Sequence, residues 1–348
     1  MQARLNEKSP PPFAGVMIFA LVAIAGFAYV KWMPYYAKAF LAQSHHFIGD
    51  SILSGKAAAA PPASWGAAAD YALAYGKAIW QALVLGLILG SGIKVLLPAQ
   101  WVGALLGRIG FRSAALASLF ALPCMMCTCC AAPVAAGMRQ SRASVGSVVS
   151  WWLSNPVLNP ATLVFMGFVL GWDWALFRVV LGIAMVLVVA QLAERYAEPR
   201  EAVALDQDLI PEAVPQGNLL ARWVREFMTL AIRLVPEYLV LVLLLGAARV
   251  WLFPVLGAHD GIGWIVAMAL AGTLFVIPTA GEVPIVQAMF ALGMGAGPAG
   301  ALIMTLPAVS LPSLVMLRRV FSLRTRLVIA AGVALSGMLA GLVAMAVF

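Results

Sequence analysis

Long apolar runs recur along the chain, and they restrict its fold more than any other feature. Residues 13–30, 67–97 and 174–192 are each apolar for long enough to cross a hydrocarbon core of about 30 Å as a helix. The first run is not followed by a convincing signal-peptide cleavage site, so we expect a retained first helix. These runs predict an all-α integral membrane protein.

The composition supports a membrane environment. Hydrophobic residues make up 63% of the 348 residues and charged residues 10%, whereas soluble domains have roughly 45–50% and about 25%. The excess apolar surface is expected to face lipid, which makes the bilayer a partner. The net charge of +8 comes from Lys and Arg in loops, where they set orientation. No basic run alternates with aromatic residues, which excludes a nucleic-acid partner.

The chain divides into four segments. We expect a transmembrane helix and an extramembrane loop in residues 1–65, with the loop beginning at residue 31. A first transmembrane repeat is predicted for 66–195, a hydrophilic central loop for 196–225, and a second repeat for 226–348. Pro and Gly interrupt the apolar stretches of both halves, so a polytopic bundle of about 8–10 transmembrane helices, some of them broken, is predicted.

The interrupting prolines indicate an internal repeat. Pro133 and Pro156 are 23 positions apart, and Pro284 and Pro307 are also 23 positions apart. The two pairs are offset by 151 positions, since 284 − 133 = 151. Paired breaks at corresponding places in two halves are typical of a transporter whose binding site lies between the repeats.

All four cysteines lie within one short, proline-flanked stretch. Cys124, Cys127, Cys129 and Cys130 offer a ligand set that suits soft ions. Pro133 is well placed as the first residue of a short helix, and the preceding cysteines would then face its N-terminal end, which favours thiolates. Two or three thiols, from Cys127, Cys129 and Cys130, are expected to bind a metal or metalloid in transit. The alternative is that these cysteines are small packing residues.

Glu282 is the corresponding feature of the second half. Carboxylates between long apolar runs are rare and usually functional, so a proton-coupling role is a hypothesis for Glu282. Capping of the turn before Pro284 is the alternative. Thr128 and Thr279, beside the thiols and the carboxylate, complete the predicted substrate-binding set together with the proline-preceding Asn155 and Asn159. The asparagines are also good helix caps.

Three further charges receive structural interpretations. Arg233 and Glu237 are four residues apart on one predicted span and are expected to pair. Arg318, with its neighbours, is expected to be a topological loop charge. No nucleotide-binding or hydrolase motif occurs, so neither an enzymatic activity nor a resident cofactor is predicted.

Several segments together resemble the ArsP-like predicted permease family. They are residues 133–138, 155–160 and 171–172 in the first half, and 298–301, 306–308 and 311–319 in the second. The similarity covers about residues 70–325. It implies a permease, and some members export trivalent organoarsenicals.

The cysteine stretch departs from the family pattern in two places. The family's Pro-x-Cys-Ser-Cys-Gly-x-x-Pro is similar to the stretch that ends at Pro133, but Cys130 stands where glycine is usual, and Cys124 is additional. The resemblance therefore implies a related site richer in sulfur, with a substrate that can differ from the arsenical. Residues 279–282 of the second repeat contain no thiol.

The sequence thus predicts a permease that moves a soft, thiol-seeking metal or metalloid, such as a trivalent arsenical, by a thiol relay at the membrane midplane, and the resemblance implies export. We expect it in a bacterial cytoplasmic (inner) membrane, with protons as a candidate coupling ion. One alternative is a membrane thiol oxidoreductase that uses Cys127 and Cys129. Another is a permease for a different small solute, with structural cysteines. The sequence does not determine the oligomeric state.

Overall fold

The computed structural model describes residues 12–55, 60–197, 218–253 and 260–348. Within these ranges the chain is helical and has no strand. This confirms the predicted all-α polytopic membrane fold. The helices are α1 (Pro12–Phe27), α2 (Met33–His45), α3 (Trp65–Leu96), α4 (Ala99–Leu106), α5 (Phe111–Ala121), α6 (Thr128–Gln140), α7 (Val145–Val157), α8 (Pro160–Val169), α9 (Trp172–Tyr196), α10 (Leu219–Leu252), α11 (Ile262–Leu274), α12 (Glu282–Ala291), α13 (Ala296–Ala308), α14 (Leu311–Met316) and α15 (Leu323–Val347).

The first helix is longer than predicted. A π-helical turn, Ala28–Trp32, joins α1 to α2, so that one helical segment runs from Phe13 to His45. Residues 31–45, predicted as the beginning of a loop, are therefore helical and continuous with α1. The apolar pattern weakens at Lys31, which suggested the end of the span, but the structure buries this side chain against the protein.

Fewer helices are long enough to span than the predicted 8–10. In the described part of the chain, six helical segments are long and apolar enough to cross a membrane, or seven if the pair Ala99–Leu106 and Phe111–Cys124, bent by 115°, is one span. The remaining apolar pieces are too short to cross 30 Å at 1.5 Å per residue. They form buried half-helices, α6 and α12 among them.

Helix boundaries repeat with the same offset of 151 as the prolines. Adding 151 to the first and last residues of α7 and of α9 gives the bounds of α13 and α15. Helices α6 and α12 end at positions that differ by 151. The same offset separates the first residues of α8 and α14, and the first residues of α5 and α11. Gly110 and Gly261, which precede α5 and α11, both have positive φ angles. Both halves therefore have the same helical order around their broken segments.

The two repeats contact each other through their broken segments. Helix α6 of the first repeat packs on α14 of the second, and α12 of the second packs on α8 of the first. The long helix α3 packs along both α6 and α10. This arrangement brings the start of α6 and the start of α12 to the same buried region, between the repeats. The predicted central loop, residues 196–225, lies largely outside the described residues.

Candidate functional site

The start of α6 brings two of the four thiols together. Cys127 is the N-cap residue of α6, and Cys130 lies in its first turn. Their Sγ atoms are 3.0 Å apart, and both side chains are buried. A spacing of three residues places side chains on the same face of a helix, which explains why Cys127 meets Cys130 rather than Cys129.

The other two thiols have different surroundings. Cys129 Sγ lies 3.6 Å from the Ser310 hydroxyl, across the boundary between the repeats. Cys124 Sγ donates to the Phe120 carbonyl at 3.4 Å and lines an apolar cavity of about 350 Å³. The described residues include no group of three or more His, Cys, Asp or Glu side chains arranged to hold a metal ion. Of the three cysteines from which two or three thiols were predicted, the structure brings Cys127 and Cys130 together and places Cys129 beside Ser310.

Thr128 and Thr279 occupy equivalent positions in the two repeats, since 128 + 151 = 279. They have different roles. Thr128 begins α6, and its carbonyl accepts a hydrogen bond from the indole of Trp152 at 2.8 Å. The Thr279 hydroxyl accepts a hydrogen bond from Lys31 Nζ at 3.2 Å, and Thr279 lines the same small cavity as Cys127. Thr279 therefore joins the second repeat to the thiol pair of the first.

Lys31 is a site residue that the sequence did not indicate. Its side chain is 4% exposed and donates to the Tyr35 hydroxyl at 3.1 Å as well as to Thr279. Its ammonium is close enough to Cys127 and Cys130 to interact electrostatically with both. A single Lys directly after an 18-residue apolar run was the available signal, but snorkelling to the membrane surface is the usual explanation for such a residue.

Glu282 forms an ion pair that also went undetected. Arg178 Nη1 donates to Glu282 Oε1 at 2.6 Å, and both side chains are almost completely buried. Arg178 also donates to the carbonyls of Pro156 and Val157, which end α7. The sequence signal for this pair was the charge of Arg178 inside the predicted span 174–192, because charged residues inside a span usually pair with one another. The ion pair with Arg178 gives Glu282 a structural role. Proton coupling by Glu282 stays a prediction.

A small cavity connects these residues. Its volume is about 10 Å³, and its lining combines Cys127, Thr279 and Glu282 with Ala280, Ile277 and the prolines Pro156, Pro278 and Pro307. Glu282 Oε2 is buried and has no hydrogen-bond partner among the described residues. The cavity is therefore lined by residues that carry a thiol, a hydroxyl and a carboxylate.

The predicted asparagines and prolines shape the breaks. Asn155 Oδ1 accepts from the Met126 amide at 3.4 Å, just before the thiol pair. Asn159 caps α8 through the amides of Ala161 and Thr162. Neither lines the small cavity, so the structure gives them supporting positions. Four prolines lie inside helices: Pro133 (α6), Pro156 (α7), Pro284 (α12) and Pro307 (α13). The prediction that Pro133 is the first residue of its helix is wrong, because α6 begins five residues earlier, at Thr128.

The predicted Arg233–Glu237 pair is wrong. Glu237 accepts instead from Arg318, which was expected to be a loop charge, because the end of the second repeat folds back onto α10. Arg233 lines a polar cavity of about 340 Å³ at the C-terminal end of α6, together with Gln140 and Arg319. Ala136 of α6 also lines this cavity, six residues along the helix from Cys130 or about 9 Å at 1.5 Å per residue.

The fold and the buried thiol site define a polytopic membrane transporter built from two repeats. The sequence profile of a family described as "predicted permease" matches residues 64–346, and the chain belongs to this family. It is 55% identical to UPF0718 protein YraQ of Escherichia coli (strain K12) over 328 residues, 93% of each chain. It is 23% identical to UPF0718 protein MJ0584 of Methanocaldococcus jannaschii over 310 residues, 69% of this chain and 84% of the relative. No solved structure matches.

Proposed function

We propose that this permease exports a soft, thiol-seeking metal or metalloid, such as a trivalent arsenical, across a bacterial cytoplasmic membrane. The observation that carries the proposal is the 3.0 Å separation of the Cys127 and Cys130 sulfur atoms, buried where the two repeats meet. Bonds from thiolate sulfur to a metal such as zinc are about 2.3 Å long, so two sulfurs on one ion lie at most about 4.6 Å apart. The observed pair is within this limit.

A site with two thiols suits transport better than one with four. Closed four-thiolate sites hold their metal permanently, whereas conduction requires binding that is weak enough to permit release. Trivalent metalloids exchange between thiols one bond at a time, so two neighbouring thiols can accept the substrate and pass it on. Export is proposed from the resemblance to the permease family.

The thiol pair also favours a second candidate, a membrane thiol oxidoreductase. Cys127 and Cys130 form a Cys-x-x-Cys pair at the start of a helix, an arrangement used in thiol–disulfide exchange. The reactive pair of such an enzyme would be Cys127–Cys130, since Cys129 faces Ser310 instead. Against this candidate, the chain has no cysteine outside residues 124–130, so no second pair elsewhere in the protein can receive the electrons.

The variants Cys127→Ser and Cys130→Ser test the proposal, with Cys124→Ser as the matched control because its thiol lies outside the pair. Uptake of a trivalent arsenical, Hg(II) and Cu(I) is measured in inverted membrane vesicles. We expect each of the first two variants to lower uptake of a transported species at least tenfold, and the control to keep it. Unchanged uptake in all three variants would contradict the thiol relay. A disulfide that cycles without uptake would support the oxidoreductase.

A further inference from the structure

The polar cavity of about 340 Å³ lies between the two repeats and apart from the thiol pair. Lys94 of α3 and Gln140 of α6 line it from the first repeat, and α10 lines it from the second. Along α10 the lining runs from Glu226 to Leu234, eight residues or about 12 Å at 1.5 Å per residue. Small-molecule sites usually measure about 300–1,000 Å³, so this cavity has room for a ligand of several heavy atoms.

The charges that line this cavity do not balance. Lys94 and Glu226 pair with each other at 3.1 Å. Arg233 and Arg319 also line the cavity, and neither side chain has an ion-pair or hydrogen-bond partner among the described residues. Arg319 belongs to the turn Leu317–Arg319, which follows α14. The lining therefore carries two positive charges that no described side chain neutralises.

Arg233 lies within the membrane-spanning part of α10. It precedes Arg249, near the opposite end of the helix, by 16 residues, and about 20 residues of helix are needed to cross the hydrocarbon core. Glu237 follows Arg233 by about one turn, but it pairs with Arg318 instead. Charged side chains at membrane depth usually face a water-filled cavity and mark the path of an ion or a substrate. The position of Arg233 thus indicates a bound anion.

The cavity lies on the side of the molecule whose loops are rich in arginine. The end of α3, the start of α10 and the turn before α15 line it, and the start of α15 meets the end of α9 where Arg324 lies over the Tyr196 ring. The loops and helix ends on this side contain Arg108, Arg112, Arg142, Arg318, Arg319 and Arg324. The loops before α9, α11 and α13, on the other side, contain no Lys or Arg. Short loops rich in Lys and Arg are cytoplasmic, so the cavity faces the cytoplasm.

We propose that this cavity binds a phosphate group from the cytoplasmic side, either as free phosphate or as the headgroup of an anionic lipid. A guanidinium donates two parallel hydrogen bonds to the oxygens of such a group, and the side-chain amide of Gln140 adds a neutral donor. The ligand bridges the repeats, because Arg233 lies on α10 of the second repeat and Gln140 on α6 of the first. The inference does not depend on what the thiol pair carries.

Binding of radiolabelled inorganic phosphate to the full chain tests this site. The protein is held in phosphatidylcholine nanodiscs, and chloride keeps the ionic strength constant. We expect saturable binding to the wild type, and a dissociation constant about tenfold higher or more in Arg233→Gln and in Arg319→Gln, because each loses charge-assisted hydrogen bonds. Arg222→Gln is the matched control, since it removes the same charge from α10 outside the lining. It should change the constant by less than about twofold, because exposed charges are screened by salt. Cys130→Ser should bind phosphate as the wild type does.

Nanodiscs that contain phosphatidylglycerol distinguish the two sources of the phosphate group. If a lipid is the ligand, phosphatidylglycerol displaces labelled phosphate and raises the unfolding midpoint of the wild type more than that of Arg319→Gln. If free phosphate is the ligand, its binding is the same in both kinds of nanodisc. A wild type that responds to neither, or arginine variants that bind as tightly as the wild type, would overturn the proposal, and so would loss of phosphate binding in Cys130→Ser. If Arg233→Gln does not fold, Arg233→Lys, which keeps the charge and loses the two parallel hydrogen bonds, takes its place. Uptake of metals and metalloids by the thiol variants is a separate measurement, so either proposal can fail alone.

Discussion

At the scale of single residues, the sequence identified groups that are chemically unusual and missed their partners. Four cysteines in seven positions and one carboxylate between apolar runs are visible without a structure. Lys31 and Arg178 each belong to a long apolar segment, where one basic residue has several ordinary explanations. Their contacts with Thr279 and Glu282 join residues 248 and 104 positions apart, which no local pattern encodes.

The Arg178–Glu282 pair leads to a prediction about stability. Glu282→Gln would leave the Arg178 guanidinium buried without its carboxylate, because both side chains are at most 1% exposed. Removing one member of a buried pair typically costs about 3–5 kcal/mol. We expect a clearly lower thermal unfolding midpoint in detergent.

The exposed Lys94–Glu226 pair provides the control for this measurement. Its side chains are 43% and 29% exposed, and surface pairs contribute only about 0–1 kcal/mol. Glu226→Gln should therefore leave the unfolding midpoint nearly unchanged. Equal midpoints for Glu282→Gln and Glu226→Gln would contradict a stabilising role for the buried pair.

At the scale of helices, periodicity and length predicted the long spans well and the interrupted regions poorly. Helix α9 extends two residues before and four residues after its predicted span 174–192, because polar residues can continue a helix outside the lipid. The π turn at Ala28–Trp32 was not predictable, since it leaves no mark in composition. In the broken regions, prolines located the interruptions, but tertiary packing determines whether a short apolar piece spans or stays buried.

Close packing of α3 against α6 positions the thiol pair. A side chain at Gly86 would place its Cβ 2.1 Å from the Cys130 carbonyl oxygen, and one at Gly90 would be 2.3 Å from the Pro133 carbonyl oxygen. Small residues four apart commonly let transmembrane helices approach this closely. The glycines of α3 therefore determine how deeply the start of α6 is held between the repeats.

Gly86→Ala should consequently disturb the site from outside it. The added methyl group forces α3 and α6 apart, and overpacking of this kind costs about 1–3 kcal/mol. We expect lower stability, together with a change in the rate at which an added oxidant links Cys127 to Cys130. Gly76→Ala is the matched control on the same helix, because nothing lies within 4 Å of a Cβ there. Identical linking rates in both variants would show that the α3 contact does not position the thiols.

At the scale of the whole molecule, the two repeats form one asymmetric site. Their helix bounds follow a common offset, which proline spacing made predictable. Their sites differ, because the first repeat contributes two thiols and the second contributes Thr279 and Glu282. The way in which the repeats close on each other depends on contacts between α6 and α14, and only the folded chain reveals these contacts.

The contact between Cys129 and Ser310 can report this closure. Cys129 Sγ on α6 lies 3.6 Å from the hydroxyl of Ser310, the N-cap residue of α14. Ser310→Cys would therefore place two thiols side by side across the repeats. A protease site is inserted in the hydrophilic segment 196–225, so that cleavage separates the halves unless a disulfide joins them.

We expect mild oxidation of Ser310→Cys to join the two halves, and a reducing agent to release them. Oxidised wild-type protein is the first control, since a bond between Cys127 and Cys130 lies within one half and cannot join the two. Cys129→Ser combined with Ser310→Cys is the second. If the permease works by moving one repeat against the other, a transported arsenical should slow the joining reaction, because the two thiols separate in part of the cycle. If oxidation never joins the two halves of Ser310→Cys, the packing of α6 on α14 is contradicted. If the joining rate is the same with and without substrate during active transport, movement at this boundary is contradicted.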